Sequence, residues 1–302
     1  MTPYESSKPA VVMLVFASLS WGVSAALSKV ALEQISPVDL FGIEVATGAL
    51  ALSAIALARG ARPARPSAAV LVLGLLEPGL AFLLFDVGLA HTDATHGALL
   101  LSTESLFTVG LAAVLLRERL DARLGLALAA GFAGSVLVSF HGSGTASSFI
   151  GDLLVVGASL AAAGYAVLAR HIAPGRDPLS LTAVQMLSAA AVSLPLAAAA
   201  AAHGDSRIGH ADATHLLVAV AVGVLASVVP FLLYNAAIER VTATAAGLVL
   251  TLIPLFGTLA SIILLGESLS FGQLVGGGFV VAAAMLAATR DGSAPATAVR
   301  AA

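Results

Sequence analysis

The feature that most constrains this chain is a series of long apolar segments with almost no charged residues inside them. A transmembrane α-helix needs about 20 consecutive apolar residues to cross a hydrocarbon core of about 30 Å. Segments of that length recur along the whole sequence. They lack the apolar–polar alternation at every second position that a spanning β-strand requires. The sequence therefore predicts an all-α polytopic membrane protein.

We expect ten transmembrane helices, divided by charged residues and by Pro or Gly. The composition agrees, because 59% of the residues are hydrophobic and only 10% are charged. The tails 1–8 and 290–302 are too short to fold alone, so we expect a single membrane domain. The predicted spans are 10–32, 37–58, 67–90, 94–116, 122–140, 150–172, 178–202, 214–238, 243–265 and 271–289.

The distribution of basic residues predicts the orientation. Cytoplasmic loops of membrane proteins carry an excess of Lys and Arg. When the N-terminus is placed in the cytoplasm, twelve of the 14 Lys and Arg fall inside, and only Lys29 and Arg207 fall outside. The pattern predicts that both termini are cytoplasmic. Such a chain belongs in the inner (cell) membrane of a bacterium, where we expect lipid to surround it.

The two halves of the sequence are weakly similar, which is typical of transporters built from repeats. At an offset of 141 residues, Lys29 matches Arg170 and Pro37 matches Pro178. Further along, the offset is 149 residues, as in the match of Gly74 to Gly223. We predict two five-helix repeats, 1–142 and 143–302. Because five is odd, the second repeat must enter the membrane from the opposite side, so the topology is inverted.

Several short motifs resemble those of the EamA-type drug/metabolite transporters, and the length and spacing are most similar to the YddG-type amino-acid exporters. The resemblance implies ten helices in two inverted repeats. It also implies a secondary transporter that exports aromatic and other neutral amino acids, or related small metabolites, by alternating access. The matching motifs are Ser20-Trp21-Gly22, Lys29, Ser36-Pro37, Leu252-Ile253-Pro254-Leu255-Phe256, Leu264-Leu265-Gly266-Glu267-Ser268-Leu269 and, more weakly, Leu115-Leu116-Arg117-Glu118-Arg119-Leu120.

Four carboxylic acids lie within the predicted spans, where an ionisable group is costly and therefore a candidate for function. Glu77 and Glu104 fall near the middles of spans three and four, and Glu44 lies inside span two. Each could bind a substrate ammonium, take up a proton, or stay protonated as a structural group. Asp86, toward the outer end of span three, could instead cap a helix end near water. The equivalent positions of the second repeat carry Gln185, Ala226, Asn235 and Ile253.

Other residues at similar depth complete the candidate substrate site. Proline interrupts helices, and interrupted helices often mark a binding site in transporters, although a structural kink is the alternative. Hydroxyl groups could contact substrate or only pack helices. Trp21, Tyr165 and Tyr234 could form an apolar wall or belong to the core. Besides these and the three glutamates, the predicted substrate-binding residues are Pro78, Ser102, Thr103, Gln185, Thr251 and Pro254.

The sequence gives no sign of an enzyme. Without cysteine there is no disulfide and no thiolate ligand, and motifs for zinc proteases, phosphate loops and calcium loops are absent from the sequence. We therefore expect no metal, cofactor or nucleic acid.

Histidines near helix ends, such as His96 and His215, are more typical of solvated helix caps than of a metal site. Gly272 and Gly276 suit helix packing in a monomer or a homodimer. A receptor or scaffold without turnover, and a transporter of a different metabolite or drug class, remain the alternatives.

Overall fold

The computed structural model describes residues 8–60, 66–115, 122–140, 149–173, 175–237, 240, 249–250 and 252–288. These residues are almost entirely helical, and they contain no β-strand. In the first half the helices are α1 (Lys8–Ala31), α2 (Pro37–Ala58), α3 (Ala68–Gly74), α4 (Ala81–Leu89), α5 (Ala94–Leu101), α6 (Thr103–Leu115) and α7 (Ala122–Phe140). In the second half they are α8 (Phe149–Ile172), α9 (Pro178–His203), α10 (Ala213–Gly223), α11 (Val229–Ala237), α12 (Leu252–Leu265) and α13 (Phe271–Ala288).

Two π-helical turns join pairs of these helices into longer spans. Leu75–Leu80 connects α3 to α4, and Val224–Val228 connects α10 to α11. The two turns begin 149 residues apart, which is the offset that relates this part of the two halves in the sequence. A short 3₁₀ turn, Ile208–His210, lies between α9 and α10.

Six helical segments are long and apolar enough to cross a membrane, judged by length and composition. They are Lys8–Ala31, Pro37–Ala58, Ala68–Leu89, Phe149–Ile172, Pro178–His203 and Ala213–Ala237. The other predicted spans overlap shorter helices, except that residues 243–248 of the ninth span lie outside the described residues. Large apolar side chains such as Phe132, Ile263 and Phe271 are 73%, 78% and 81% exposed, as expected for a surface that faces lipid rather than water.

Local sequence explains where α2 and α9 begin. Ser36 and Asp177 precede Pro37 and Pro178, which occupy the first helical position, where a missing N–H costs nothing. The side chain of each capping residue accepts a hydrogen bond from a backbone N–H in the first helical turn. Gly204 ends α9 in the left-handed conformation, with φ of 81°.

The two halves of the chain pack through reciprocal contacts. Helix α1 of the first half packs on α12 of the second half and on the span formed by α10 and α11. Helix α8 of the second half packs on α6 and α4 of the first half. The helices α2 and α9 contact each other, and so do α7 and α13. Most of these pairs join one half to the other, so the halves share one core.

Two glycines allow the closest of these approaches. A Cβ atom at Gly74 would lie 2.2 Å from the carbonyl oxygen of Gln185, so α3 can meet α9 only without a side chain there. At the position related by the 149-residue offset, a Cβ atom at Gly223 would lie 2.7 Å from Cβ of Thr47 on α2. Each glycine immediately precedes a π-helical turn.

The structure divides three of the predicted spans. Span four is broken at Ser102 into α5 and α6, and the π-helical turns interrupt spans three and eight. At Pro78 the helix is interrupted and not only kinked, because Glu77 just before it has non-helical backbone angles, φ −147° and ψ 122°. Pro254 is the third residue of α12 and is buried.

The close approach at Gly74 predicts that adding a single methyl group there lowers the stability of the protein. Gly74→Ala should lower the stability of the protein in detergent by about 1–3 kcal/mol, since backbone atoms of Gln185 would have to move. Gly278→Ala is the matched control, because no atom lies within 4 Å of a Cβ atom there. It should change stability by less than about 1 kcal/mol. Thermal unfolding followed by size-exclusion chromatography measures both, and equal melting temperatures for the two variants would contradict the packing argument.

Candidate functional site

Aromatic side chains from both halves meet at the centre of the bundle. Phe231 on α11 is fully buried, and its ring centroid lies 5.5 Å from that of Trp21, 5.9 Å from that of Tyr165 and 6.2 Å from that of Phe82. Trp21 also contacts Tyr234 at 6.1 Å between ring centroids. We call these five residues the aromatic cluster. Their edge-to-face and tilted arrangements are those that aromatic quadrupoles favour.

The second π-helical turn positions the tryptophan. A π-helical turn frees backbone carbonyls from regular helical hydrogen bonds, and inside a membrane they need other donors. The indole N–H of Trp21 donates to the carbonyl of Ala226 at 3.1 Å, and the Ser20 hydroxyl donates to the carbonyl of Leu225 at 2.6 Å. The indole is thereby held in place, while the half-buried side chain keeps part of its surface exposed.

Two carboxylic acids face each other beside this cluster, and each lies at a break in a helix. Glu77 lies in the first π-helical turn, and Glu104 lies in the first turn of α6, just after the break at Ser102. The two carboxyls interact electrostatically, and both also interact with Tyr234. Glu77 interacts with Tyr165 as well. Two carboxyls in one low-dielectric space ionise together only at high cost, so one negative charge is more stable than two.

Several buried polar atoms next to the cluster lack hydrogen bonds. Among the residues that the structure describes, the Tyr165 hydroxyl, both polar atoms of Gln185 and Oδ1 of Asn235 have no partner. The amides of Gln185 and Asn235 interact with the Tyr165 hydroxyl without reaching hydrogen-bond geometry. The other amide atom of Asn235, Nδ2, donates to the Thr182 hydroxyl at 2.8 Å. Unpaired buried polar groups are costly, so these atoms are suited to receive a polar ligand.

The hydroxyl groups expected at the site serve the backbone instead. Ser102 donates to the carbonyl of Leu99, and Thr103 donates to the carbonyl of Leu100 at 2.7 Å. These bonds satisfy carbonyls at the break between α5 and α6. Thr251, also expected at the site, lies outside the described residues.

Glu44 is separate from the central acids. It is buried on α2, where the Ser28 hydroxyl donates to its Oε1 at 3.3 Å, and it interacts electrostatically with Asp86 on α4. Asp86 is only 1% exposed, so the expectation that it caps a helix end near water is wrong. Helix α4 packs against α2 and α8, and the position of Asp86 near the end of the span did not indicate that these neighbours bury it.

The structure places four side chains at the site that the sequence patterns did not indicate: Ser20, Phe82, Phe231 and Asn235. A phenylalanine in an apolar run looks the same whether it faces lipid, as Phe132 does, or the core. The internal repeat could have identified Asn235 as a candidate, because in the second half it occupies the position equivalent to Asp86.

Polar contacts join the two halves at the helix ends that we predict to face outward. The Glu267 carboxylate, between α12 and α13, accepts hydrogen bonds from the backbone N–H groups of Ala94 and Thr95 at 3.0 and 2.7 Å. It thus caps α5 from the other half of the chain. Gln34 and Asp212 exchange two hydrogen bonds, of 3.1 and 2.9 Å. In this conformation these contacts hold the predicted outer side together.

A histidine at the start of α10 belongs to the same outer contacts. Hydrogen bonds from the backbone and ring of His215 lower the pKa of Asp212 to about 2. The ring atom Nδ1 of His215 lies 2.7 Å from Oδ1 of Asp212. Its Nε2 lies 3.7 Å from the Glu33 carboxylate. His96, in contrast, is fully buried, 3.7 Å from Asp152, so the expectation of a solvated cap is wrong there.

Comparison with known proteins gives one consistent result. The chain matches the EamA-like transporter family over residues 8–140 and again over 149–289. It is 32% identical to an uncharacterized protein of Pseudomonas aeruginosa, over 85% of each chain. It is 28% identical to the uncharacterized transporter YyaM of Bacillus subtilis, over 58% of this chain and 60% of the relative.

Two more distant similarities agree. An uncharacterized transporter of Archaeoglobus fulgidus is 23% identical, over 89% of this chain and 95% of the relative. A solved crystal structure of a protein that is 20% identical superposes with a TM-score of 0.67, covering 92% of this chain and 96% of that one. The superposition establishes a shared fold.

The contact between Asp212 and His215 predicts a pH dependence. Since the hydrogen bonds from His215 lower the pKa of Asp212 to about 2 in the folded protein, they stabilise the fold above the ordinary pKa of an aspartate, about 3.9, and this stabilisation is lost as pH falls through the lowered value. His215→Ala, which removes the ring from this contact, should raise the pKa of Asp212 toward that ordinary value, whereas His210→Ala in the preceding 3₁₀ turn should not. NMR titration of the Asp212 carboxyl carbon measures both. An unchanged pKa of Asp212 in His215→Ala would rule out this assignment.

Proposed function

Because this chain belongs to the EamA-like transporter family and is therefore a membrane transporter, we propose that it exports neutral amino acids, aromatic ones included. Export is the direction implied by the resemblance to the YddG-type exporters. The chain would work in the inner membrane of a bacterium by alternating access. An ion gradient would power it, since the sequence carries no phosphate-binding glycine loop.

We further propose that the chain forms ten transmembrane helices in two inverted five-helix repeats, 1–142 and 143–302, with both termini in the cytoplasm. Three observations support this arrangement. The family matches the chain twice, once in each half. The contacts of α1 in the first half are reciprocated by those of α8 in the second. The two π-helical turns begin 149 residues apart.

The observation that carries the proposal is the meeting of Glu77 and Glu104 at two helix breaks beside the aromatic cluster. A carboxylate in a low-dielectric site attracts a cation strongly, and the ammonium group of an amino acid would supply one. One charge shared by the pair matches one ammonium. Pro78, in the first π-helical turn, and Pro254, the third residue of α12, are both buried and would complete this side of the proposed site.

The rest of an amino acid finds complementary groups in the same region. Its carboxylate could accept hydrogen bonds from the unpaired Tyr165 hydroxyl and from Nε2 of Gln185. Its side chain would pack on Trp21, Phe231 and Tyr234, where apolar and aromatic surfaces gain the most. Glu44 lies outside this proposed substrate site, because it pairs with Asp86 instead.

Alternating access would require the outer contacts to open. Glu267 would have to release the N-terminus of α5, and Gln34 would have to release Asp212. These contacts are few and lie near solvent, so each contributes little and the closure can be reversed. The buried packing within each repeat would stay intact, as in rocking-type transporters.

Counterflow in proteoliposomes tests the substrate class. Vesicles would be loaded with unlabelled phenylalanine, leucine, glutamine, lysine or glutamate and given a trace of the same amino acid with a label outside. We expect exchange for phenylalanine, leucine and glutamine, and little for lysine and glutamate, whose extra charge the site does not match. If no amino acid exchanges while another class of metabolite does, the amino-acid proposal fails and the family assignment stands.

Neutral replacement of the central acids should impair transport. Glu77→Gln and Glu104→Gln should each reduce phenylalanine exchange by about tenfold or more, since a charge-assisted hydrogen bond contributes about 1.5–3 kcal/mol. Asp152→Asn, a buried acid bonded to Thr92 away from the cluster, is the matched control and should keep wild-type exchange. All variants would first be checked for monodispersity. Wild-type exchange in both Gln variants would mean that the two acids are structural.

A further inference from the structure

A second acidic pair lies outside the proposed substrate site, on α2 and α4. Glu44 is 3% exposed and Asp86 is 1% exposed, and the two carboxyls interact electrostatically. The Ser28 hydroxyl on α1 donates to Glu44. Both carboxyl oxygens of Asp86 are buried without a hydrogen-bond partner among the described residues. Three helices of the first half therefore meet around one unsatisfied acid.

The pair is distinct from the central acids. Asp86 lies on α4, six residues beyond the end of the π-helical turn that contains Glu77, which is roughly 9 Å of helical rise. Glu44 and Asp86 lie toward the outer ends of α2 and α4, whereas Glu77 lies in the turn between α3 and α4. The main electrostatic partner of Glu77 is Glu104, and that of Asp86 is Glu44.

No cation in the described part of the chain neutralises the pair. None of the other charged or titratable groups on the elements packed around it interacts electrostatically with either acid. These groups are Lys8 and Lys29 on α1, Asp39 on α2, Glu77 in the π-helical turn, Asp93 and His96 around the start of α5, Asp152, Tyr165, Arg170 and His171 on α8, His203 on α9, His215 on α10 and Glu267 before α13. The Lys29 ammonium donates to the carbonyls of Leu89 and Thr92, at 2.8 and 2.6 Å. Its acidic neighbours are Asp93, Glu267 and Glu33, not the pair.

The other half of the chain offers an internal comparison. At the offsets that relate the halves, Glu44 corresponds to Gln185 and Asp86 to Asn235. Those two side chains are also buried, and both face Tyr165. The second half thus fills the equivalent place with neutral amides of nearly the same shape. Amides can pack and form hydrogen bonds as well as acids can, but only acids can gain and lose a proton.

We propose that Glu44 and Asp86 form a proton-binding site through which this transporter couples substrate movement to proton movement. The inference rests on the proposed function for its coupled substrate. In each cycle one proton binds to a carboxylate oxygen of the pair from the outer solution and leaves to the inner solution. One neutral amino acid moves outward in exchange. No bond other than O–H forms or breaks, and one positive charge moves inward for each substrate molecule exported.

A proton fits this site better than a metal ion does. Hard cations bind about six or more oxygen ligands, whereas the described residues here supply the two carboxyls and the Ser28 hydroxyl. Among the described residues no group of three acids or histidines could hold a metal ion. Water does not reach the pair in this conformation, because both side chains are buried, so the proton can bind from one side and leave to the other only as the conformation changes. Proton exchange is therefore tied to the conformational cycle.

The test compares two assays in proteoliposomes with labelled phenylalanine. One assay measures exchange at equal pH, which needs no net proton movement. The other measures accumulation driven by an acidic interior and an alkaline exterior. The variants are Glu44→Gln, Asp86→Asn and the double variant, which copies the amide pair of the second half; Asp152→Asn is the control.

We expect wild type and Asp152→Asn to accumulate phenylalanine against its gradient. In the three pair variants, accumulation should fall about tenfold below that of the wild-type protein. Their exchange at equal pH should stay within about threefold of the wild-type rate. Unchanged pH-driven accumulation in the pair variants would overturn the proposal. If the wild-type protein exchanged phenylalanine but showed no pH-driven accumulation, the proton-coupling proposal would also be overturned. The proposed function as an amino-acid transporter would then stand.

A second measurement does not need a substrate. Infrared difference spectra between about pH 5 and about pH 9 detect protonated carboxyl groups as they titrate. A titrating carboxyl that is present in wild type and Asp152→Asn, and absent from the double variant, would support the proton site even if no amino acid exchanged. If the spectra of wild type and the double variant were the same, the proton site would be wrong.

Discussion

The rest of this structure depends on the need to satisfy every backbone polar group without water. A continuous helix meets that need by itself, but this chain breaks its helices at 75–80, at Ser102 and at 224–228. Each break has donors nearby. Ser188 donates to the carbonyl of Leu71 where the first π-helical turn begins, and Ser102 and Thr103 serve carbonyls of α5. Ser20 and Trp21 serve the second turn.

The donors at the two π-helical turns come from the opposite half of the chain, so the same bonds that stabilise the turns also join the halves. Ser188 on α9 serves the first turn, and α1 serves the second. Consequently Trp21 could not change its contact with Ala226 without exposing a carbonyl to an apolar environment. The breaks also bring acids to the centre, because Glu77 and Glu104 lie where the helices are interrupted.

Sequence patterns predicted the helices better than their breaks. A run of apolar residues placed span 37–58 with the bounds that α2 has, because Pro37 and Arg59 mark its ends. The break at Ser102 carried no Pro or Gly, and it depends on hydroxyl–carbonyl bonds within α5 and α6. The second π-helical turn, Val224–Val228, likewise contains neither residue. The burial of Asp86 depends on which helices pack against α4, and hydropathy along one helix does not contain that information.

Chemical differences between the halves matter more for a transporter than their similarity does. If the halves were identical, the inward-facing and outward-facing arrangements would have equal energy and equal affinity for every ligand. A proton gradient can drive net substrate movement only if proton binding and substrate movement are coupled. Gln185 and Asn235 cannot provide that coupling, because amides do not titrate. The corresponding acids, Glu44 and Asp86, can, and their place in one half alone would give the cycle its dependence on the proton gradient.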